Sequence, residues 1–165
     1  MERYSEYKDS GAQWLGMIPS HWKMVMNARI FREDVRKALD TDISLSLSQK
    51  DGLIPTDEMQ ESSLKTSSYL NWKHVVPNDL VINRFKAHLG VMFASKYTGM
   101  VSFHYGVFKS VLPTVPKYYE YLYHTNVYKF LYADASNGMT VGLQNLSNAA
   151  FYKIRGIYPP MEEQN

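Results

Sequence analysis

Between Leu80 and Tyr119 the chain carries five cations, Arg84, Lys86, Lys96, Lys109 and Lys117, and no carboxylate. Residues 1–79 sum to −2 and residues 120–165 to −1, so the formal +2 of the whole chain hides a +5 segment between slightly acidic flanks. Cations gathered without acids suit a polyanion, and nucleic acid is the commonest one. Arg84, Lys86, Lys96 and Lys109 are therefore candidates for phosphate contact, because charged groups on nucleic-acid binders mostly grip the backbone. An ordinary solvated strand face has the same composition. A second set of residues has the donors and acceptors to read base edges. Gln49 and Lys50 lie in a Gln-Lys-Asp-Gly turn. Asn137, Thr140, Gln144, Asn145 and Asn148 lie in a stretch, ASNGMTVGLQNLSN, with no charge at all. Asn and Gln can bond adenine bidentately and Lys can address guanine; turn formation is the competing use of the same residues. His88, Tyr97, His104 and Tyr105 are further candidates to face the ligand.

Other chemistries fit less well. His74, His88 and His104 follow no familiar metal-ligand spacing, and the chain has no cysteine, so neither a metal nor a disulfide is expected. A metal-dependent nuclease needs an Asp followed by Glu-x-Lys. The Glu-x-Lys here, Glu6-Tyr7-Lys8, precedes every suitable Asp. Gly138 and Gly142 do not form the glycine-rich cofactor loop of a methyltransferase. Tyr158-Pro159-Pro160 places its aromatic on the wrong side for the motif that grips a target base. No Gly-x-Ser-x-Gly or phosphate-binding loop is present. The sequence reads as non-catalytic, with no cofactor.

The elements that must position these residues are short strands. Leu80 to Asn83, Val91 to Ala94, Met100 to Phe103 and Val107 to Leu112 each read as a short strand, with Gly90, Gly99 and Gly106 expected at turns or bulges between them. Ile43 to Ser48 and Leu53 to Pro55 read as strands around the Gln49-Lys50-Asp51-Gly52 turn. Residues 23–39 read as a strand and then a short helix. Asp57 to Lys65 suggests a helical turn or two. Lys117 to Tyr132 is the best helix, started by Pro116, with Tyr119, Leu122, Tyr123, Val127, Phe130 and Leu131 as its apolar positions. Ala149 to Tyr158 reads as a closing strand. Residues 1–22 form an irregular arm that lays Trp14, Leu15, Ile18 and Trp22 on the domain. Residues 159–165 open like a helix, with prolines and then acids. At 165 residues, 45% hydrophobic and 21% charged, one folded domain with a real core is expected. No apolar run has membrane-spanning length and no leader opens the chain, which points to the cytoplasm. The 13 Tyr suit a broad contact surface.

In order along the chain stand YKDSG-x-x-W-L-G-x-IP-x-HW (Tyr7 to Trp22), SLSQ-x-x-GLIP (Ser46 to Pro55), NDLVIN-x-x-KAH-x-G (Asn78 to Gly90), Y-x-G-x-VS-x-x-Y-x-VF (Tyr97 to Phe108) and F-x-KI-x-x-x-x-PP-x-EEQ (Phe151 to Gln164). This series resembles the target recognition domains of type I restriction–modification specificity (S) subunits. One departure is Val101-Ser102-Phe103, where that family often has Val-Ser-Pro. The resemblance implies an α/β domain of the α+β kind, with a mostly antiparallel, twisted β-rich core and peripheral helices, spanning residues 23–158. It implies sequence-specific binding to double-stranded DNA, reading one half of a bipartite site. Methyltransferase (M) and restriction (R) subunits would be the partners, held through spacer helices of which residues 159–165 would be the start. Recognition domains diverge with their half-sites, so the resemblance carries over no base-contacting residue. The alternative reading is a protein-interaction or assembly module whose basic, tyrosine-rich face meets an acidic partner.

Overall fold

The computed structural model describes residues 4–59, 68–137 and 144–165; Thr140 lies outside them. The chain is α+β. Its centre is a four-stranded antiparallel sheet in the order β4 (Phe31–Glu33), β11 (Tyr105–Ser110), β8 (Leu80–Asn83) and β9 (Met92–Ala94). Register pairs Val107 with Val81, and Phe108 with Leu80 on one side and Glu33 on the other. Because side chains alternate across a strand, β8 serves two cores at once. Leu80 and Ile82, with Met92 and Phe108, pack under the helices, whereas Val81 and Val107 pack on a second β layer.

That second layer is built from the hairpin β5 (Leu45–Ser48)–β6 (Gly52–Pro55) and the pair β7 (Lys73–Val75)–β10 (Gly99–Val101). A parallel bridge between Ser44 and Met100 joins them. Gly99 stands inside β10 rather than at a turn, and packing explains it. A Cβ there would lie 2.6 Å from the carbonyl oxygen of Ile43 and 2.9 Å from Leu45 Cγ. Gly99→Ala is expected to lower stability by about 1–3 kcal/mol, as overpacking does, measured by denaturant unfolding. Gly106 is likewise inside β11, with Phe108 crossing its open side. Only Gly90 of the three takes a positive φ, closing the turn Ala87–Leu89.

The helical layer holds α2 (Pro116–Tyr123), α3 (Asn126–Ala135) and α4 (Asn148–Lys153). The single helix expected over Lys117 to Tyr132 breaks at Thr125, whose hydroxyl donates to Leu122 O at 2.7 Å and whose backbone is extended. Such a local side-chain bond competes with the helical ladder. The break rephases the face: Tyr119, Tyr123, Tyr128 and Tyr132 are fully buried, while Val127 and Phe130 face solvent. Buried phenols need partners. Tyr119 donates to Ile157 O (3.0 Å), Tyr123 to Asn27 Oδ1 (2.9 Å) and Tyr128 to Arg155 O (2.9 Å). Four of the tyrosines are thus core, not contact surface.

The closing segment is α4 followed by β12 (Arg155–Tyr158), not one strand. Ser147 caps α4 by accepting from Ala150 N (3.1 Å), a standard N-cap. β12 pairs with β3 (Lys23–Met26). One helical turn, α1 (Asn27–Ile30), links β3 to β4, and residues 31–33, expected as helix, are strand. Residues 4–22 contain a hairpin, β1 (Tyr7–Asp9) with β2 (Met17–Pro19), and Trp14 packs edge-on to Tyr128 at 5.5 Å. Beyond β12, Met161–Glu163 make one 3-10 turn. Glu163 accepts from Tyr4 Oη (2.7 Å) and Trp22 Nε1 (2.8 Å) and sits 2.6 Å from His21 Nε2. The buried Gln164 accepts from Val115 N (2.9 Å). The segment from Tyr4 to Trp22 and the last residues are therefore tied to each other, and Gln164 to the start of α2.

Candidate nucleic-acid interface

Strand direction sorts the candidate residues onto two ends of the sandwich. β8 ends at Asn83, opposite Tyr105, where β11 begins. The turns that follow β8 (Arg84 to Gly90) and precede β11 (Ser102 to His104) therefore share one end. The bridge of Ser44 to Met100 makes β5 parallel to β10, so the β5–β6 tip with Gln49 and Lys50 points to that end too. Asn137 and residues 144–148 of the uncharged stretch join them there. Asn137 and Asn145 exchange two backbone hydrogen bonds (2.9 and 2.8 Å), and Leu146 N donates to Arg84 O (3.0 Å). Lys86, Gln49, Lys50, His104, Asn137 and Asn145 are exposed at this end, and Gln144 and His88 are half-buried.

Lys96 and Lys109 lie at the other end. Lys96 is in the turn beside Ser95, whose N–H and carbonyl bond Asp79 O and Asn78 N. Lys109 pairs across the sheet with Arg32 and lies 4.0 Å from Asp34. Four residues of strand, roughly 13 Å, separate Lys109 from Tyr105. Acids accompany the cations here: Arg36 bridges Asp34 (3.2 Å) and the buried Asp79. Burial pushes the Asp79 carboxyl above its ordinary value, against the pull of Val76 N–H and Arg36. Tyr97 and Tyr105 pack, half-buried, on the second core cluster, and burial raises the Tyr105 phenol.

Arg84 and Asn148 prove to be parts of one internal network. The Arg84 guanidinium donates to Glu33 Oε1 (3.0 Å), to Asn148 Oδ1 (2.6 and 3.2 Å) and to His104 O (3.4 Å). The Asn148 amide donates in turn to Glu33. Lys73, 9% exposed, donates to Tyr105 O (2.7 Å) and lies 3.4 Å from Glu33. Burial acts to raise the Glu33 carboxyl, but Arg84, Asn148 and Lys73 outweigh it and hold it below its ordinary value. Burial and the nearby Arg84 lower the Lys73 amine against the pull of Glu33. The network stitches β4, β7, the turn after β8, the turn before β11 and α4 together behind the exposed loops. Arg84 spends its donors, and Asn148 both ends of its amide, inside the fold.

Reading the sequence for charge and amides missed Glu33 and Lys73, and it passed over two exposed aromatics at the same end. Phe85 is 44% and Phe103 51% exposed. The available signal was position: each stands in a polar turn, next to Arg84 and Lys86 or next to His104. Among the described residues no cluster of His, Asp and Glu could hold a metal ion, and no helix is long and apolar enough to cross a membrane.

No protein-family model matches the chain, and no curated protein does. A solved structure is similar in fold. It is the crystal structure of the HsdS subunit from Thermoanaerobacter tengcongensis, with a TM-score of 0.54 and 13% sequence identity over 96% of this chain. The chain spans 37% of that subunit's length. The likeness is to the fold of that subunit.

Proposed function

We propose that this domain binds duplex DNA and reads one half of a split target site, as a specificity component of a type I restriction–modification system. In this reading it works in the cytoplasm, and methylation and cleavage belong to partner M and R subunits. The observation that carries the reading is the convergence of Lys86, the Gln49-Lys50 tip and the Asn137–Asn145 loop base at one end of the sandwich. Arg84 supports that end from inside. The fold likeness and the ordered motifs support it from outside. Lys86 and Lys50 are assigned to phosphates, Gln49, Gln144 and Asn145 to base edges, and Arg84, Asn148 and Glu33 to holding the loops in place. In line with this, the alternating strands carry the loops and the loops carry the binding groups, as rigid scaffolds commonly do.

Fluorescence anisotropy with a random-sequence duplex pool tests this reading. Binding should weaken with salt along a log–log slope of about −2 to −4, for two to four phosphates neutralised. Lys86→Ala should weaken all duplexes alike and flatten the slope by about 0.9, whereas Lys96→Ala and Lys109→Ala should change neither. Asn145→Ala should cost about 1–3 kcal/mol on the duplex enriched from the pool and spare non-specific binding. Absence of binding at low salt would contradict the reading; loss at Lys96 or Lys109 instead of Lys86 would move the interface to the other end.

The assembly-module reading has its own observation. Trp14, Val127, Phe130 and Leu131, with Asp134 at its side, line a mostly apolar cleft, and Phe130 is 76% exposed. A domain that ignores DNA and loses a protein partner on Phe130→Ala would favour it.

A further inference from the structure

Phe85 and Phe103 belong to neither core cluster, yet each meets the His104 ring. The Phe103 ring centroid lies 4.0 Å from that of His104, and His104 lies 6.2 Å from Phe85. Three rings thus form one chain of contacts across two neighbouring turns. Tyr105 N donates to Ser102 O (3.1 Å), closing the turn that carries Phe103. Arg84 Nη1 donates to His104 O (3.4 Å), and Arg84 is itself held by Glu33 and Asn148. The turn that carries Phe103 and His104 is therefore tied to the Arg84–Glu33–Asn148 network. Single exposed apolar side chains are ordinary, but a contiguous group calls for a partner. Lys86 follows Phe85 directly, and no carboxylate occurs between Leu80 and Tyr119. A cation-flanked group of rings complements a polyanion with flat apolar faces. The ring faces match nucleobases, and the cation matches the phosphates beside them.

We propose that Phe103, backed by His104 and Phe85, is an apolar wedge that enters one base step of the bound duplex and kinks it. The proposal rests on the DNA-binding reading above and adds a deformation to it. Side chains that part a base step kink DNA by about 20–90°, and the sequence-dependent cost of that kink contributes to selectivity at positions no side chain touches.

The test uses the full chain and a duplex enriched from a random pool by this protein, carrying a dye at each end. Binding of the wild-type chain should shorten the end-to-end distance. Phe103→Ala should bind about tenfold more weakly, a loss within the range of one stacking contact. It should leave the duplex straight and keep both the salt slope and the melting temperature. Phe103→Trp should restore the kink, and Phe85→Ala should reduce it. A duplex that stays straight on the wild-type chain, or a kink that survives Phe103→Ala, overturns the wedge while the DNA-binding reading stands. No binding to any duplex at low salt overturns both.

Discussion

Glu33→Ala is expected to destabilise the fold by roughly 3 kcal/mol, the scale of an ion pair broken by removing one partner out of water. The Glu33, Arg84 and Lys73 side chains are only 19%, 18% and 11% exposed, so solvent cannot replace the lost carboxylate. Two cations would stand together uncompensated, and Asn148 would lose its acceptor. Glu33→Gln keeps the shape and an acceptor and should cost less. The pH dependence has a definite sign. Glu33 is held below its unfolded carboxyl value of 4.5, so the folded chain binds fewer protons there. Its contribution is fully present above about pH 4.5 and is lost as pH falls through the folded value. Glu163, lowered by hydrogen bonds from Trp22, Tyr4 and His21, titrates in the same direction, and Asp79, raised by burial, in the opposite one. The difference between the wild-type and Glu33→Gln stability curves isolates Glu33. That difference should vanish at acid pH.

Tyr123→Ala should cost more, about 3–5 kcal/mol, the range for emptying a large buried aromatic site. Its ring centroid lies within 6.5 Å of those of Phe31, Tyr119, Tyr128, Tyr132 and Phe151. Its hydroxyl satisfies Asn27, which ties α1 to Phe151 O at 3.1 Å. Tyr123→Phe keeps the packing and leaves the Asn27 acceptor unpaired, a loss of about 1–3 kcal/mol. Urea unfolding distinguishes the two. Equal losses for both variants would mean that the hydroxyl, not the ring, carries the effect.

Strands β8, β9 and β11 of the central sheet were legible because each is a short apolar run bounded by turn residues, whereas β4, expected as helix, was not. The position of Gly99 was not, because its close approach to Ile43 involves a residue that sequence spacing does not place. The break at Thr125 is a local event, yet a 3.6-residue count over Lys117 to Tyr132 runs straight through it. That put Val127 and Phe130 in the expected core in place of Tyr128 and Tyr132. The loop end was legible as composition, with uncharged amides at 144–148 and cations without acids after Asn83, although Asp51 stands beside Lys50 at the tip. The inward role of Arg84 and Asn148 was hidden, since their partner Glu33 is 51 and 115 residues away. Charge alone could not separate Lys86 from Lys96 and Lys109; strand direction does.

Amide hydrogen exchange of the full chain, with and without a saturating random-sequence duplex at low salt, is the most direct test of the loop end as the DNA face. Protection should appear in residues 49–51, 84–90, 102–104 and 144–146, with residues 95–98 and 109–115 unchanged. Protection confined to residues 95–98 and 109–115, or none at a duplex concentration that saturates anisotropy, would contradict it.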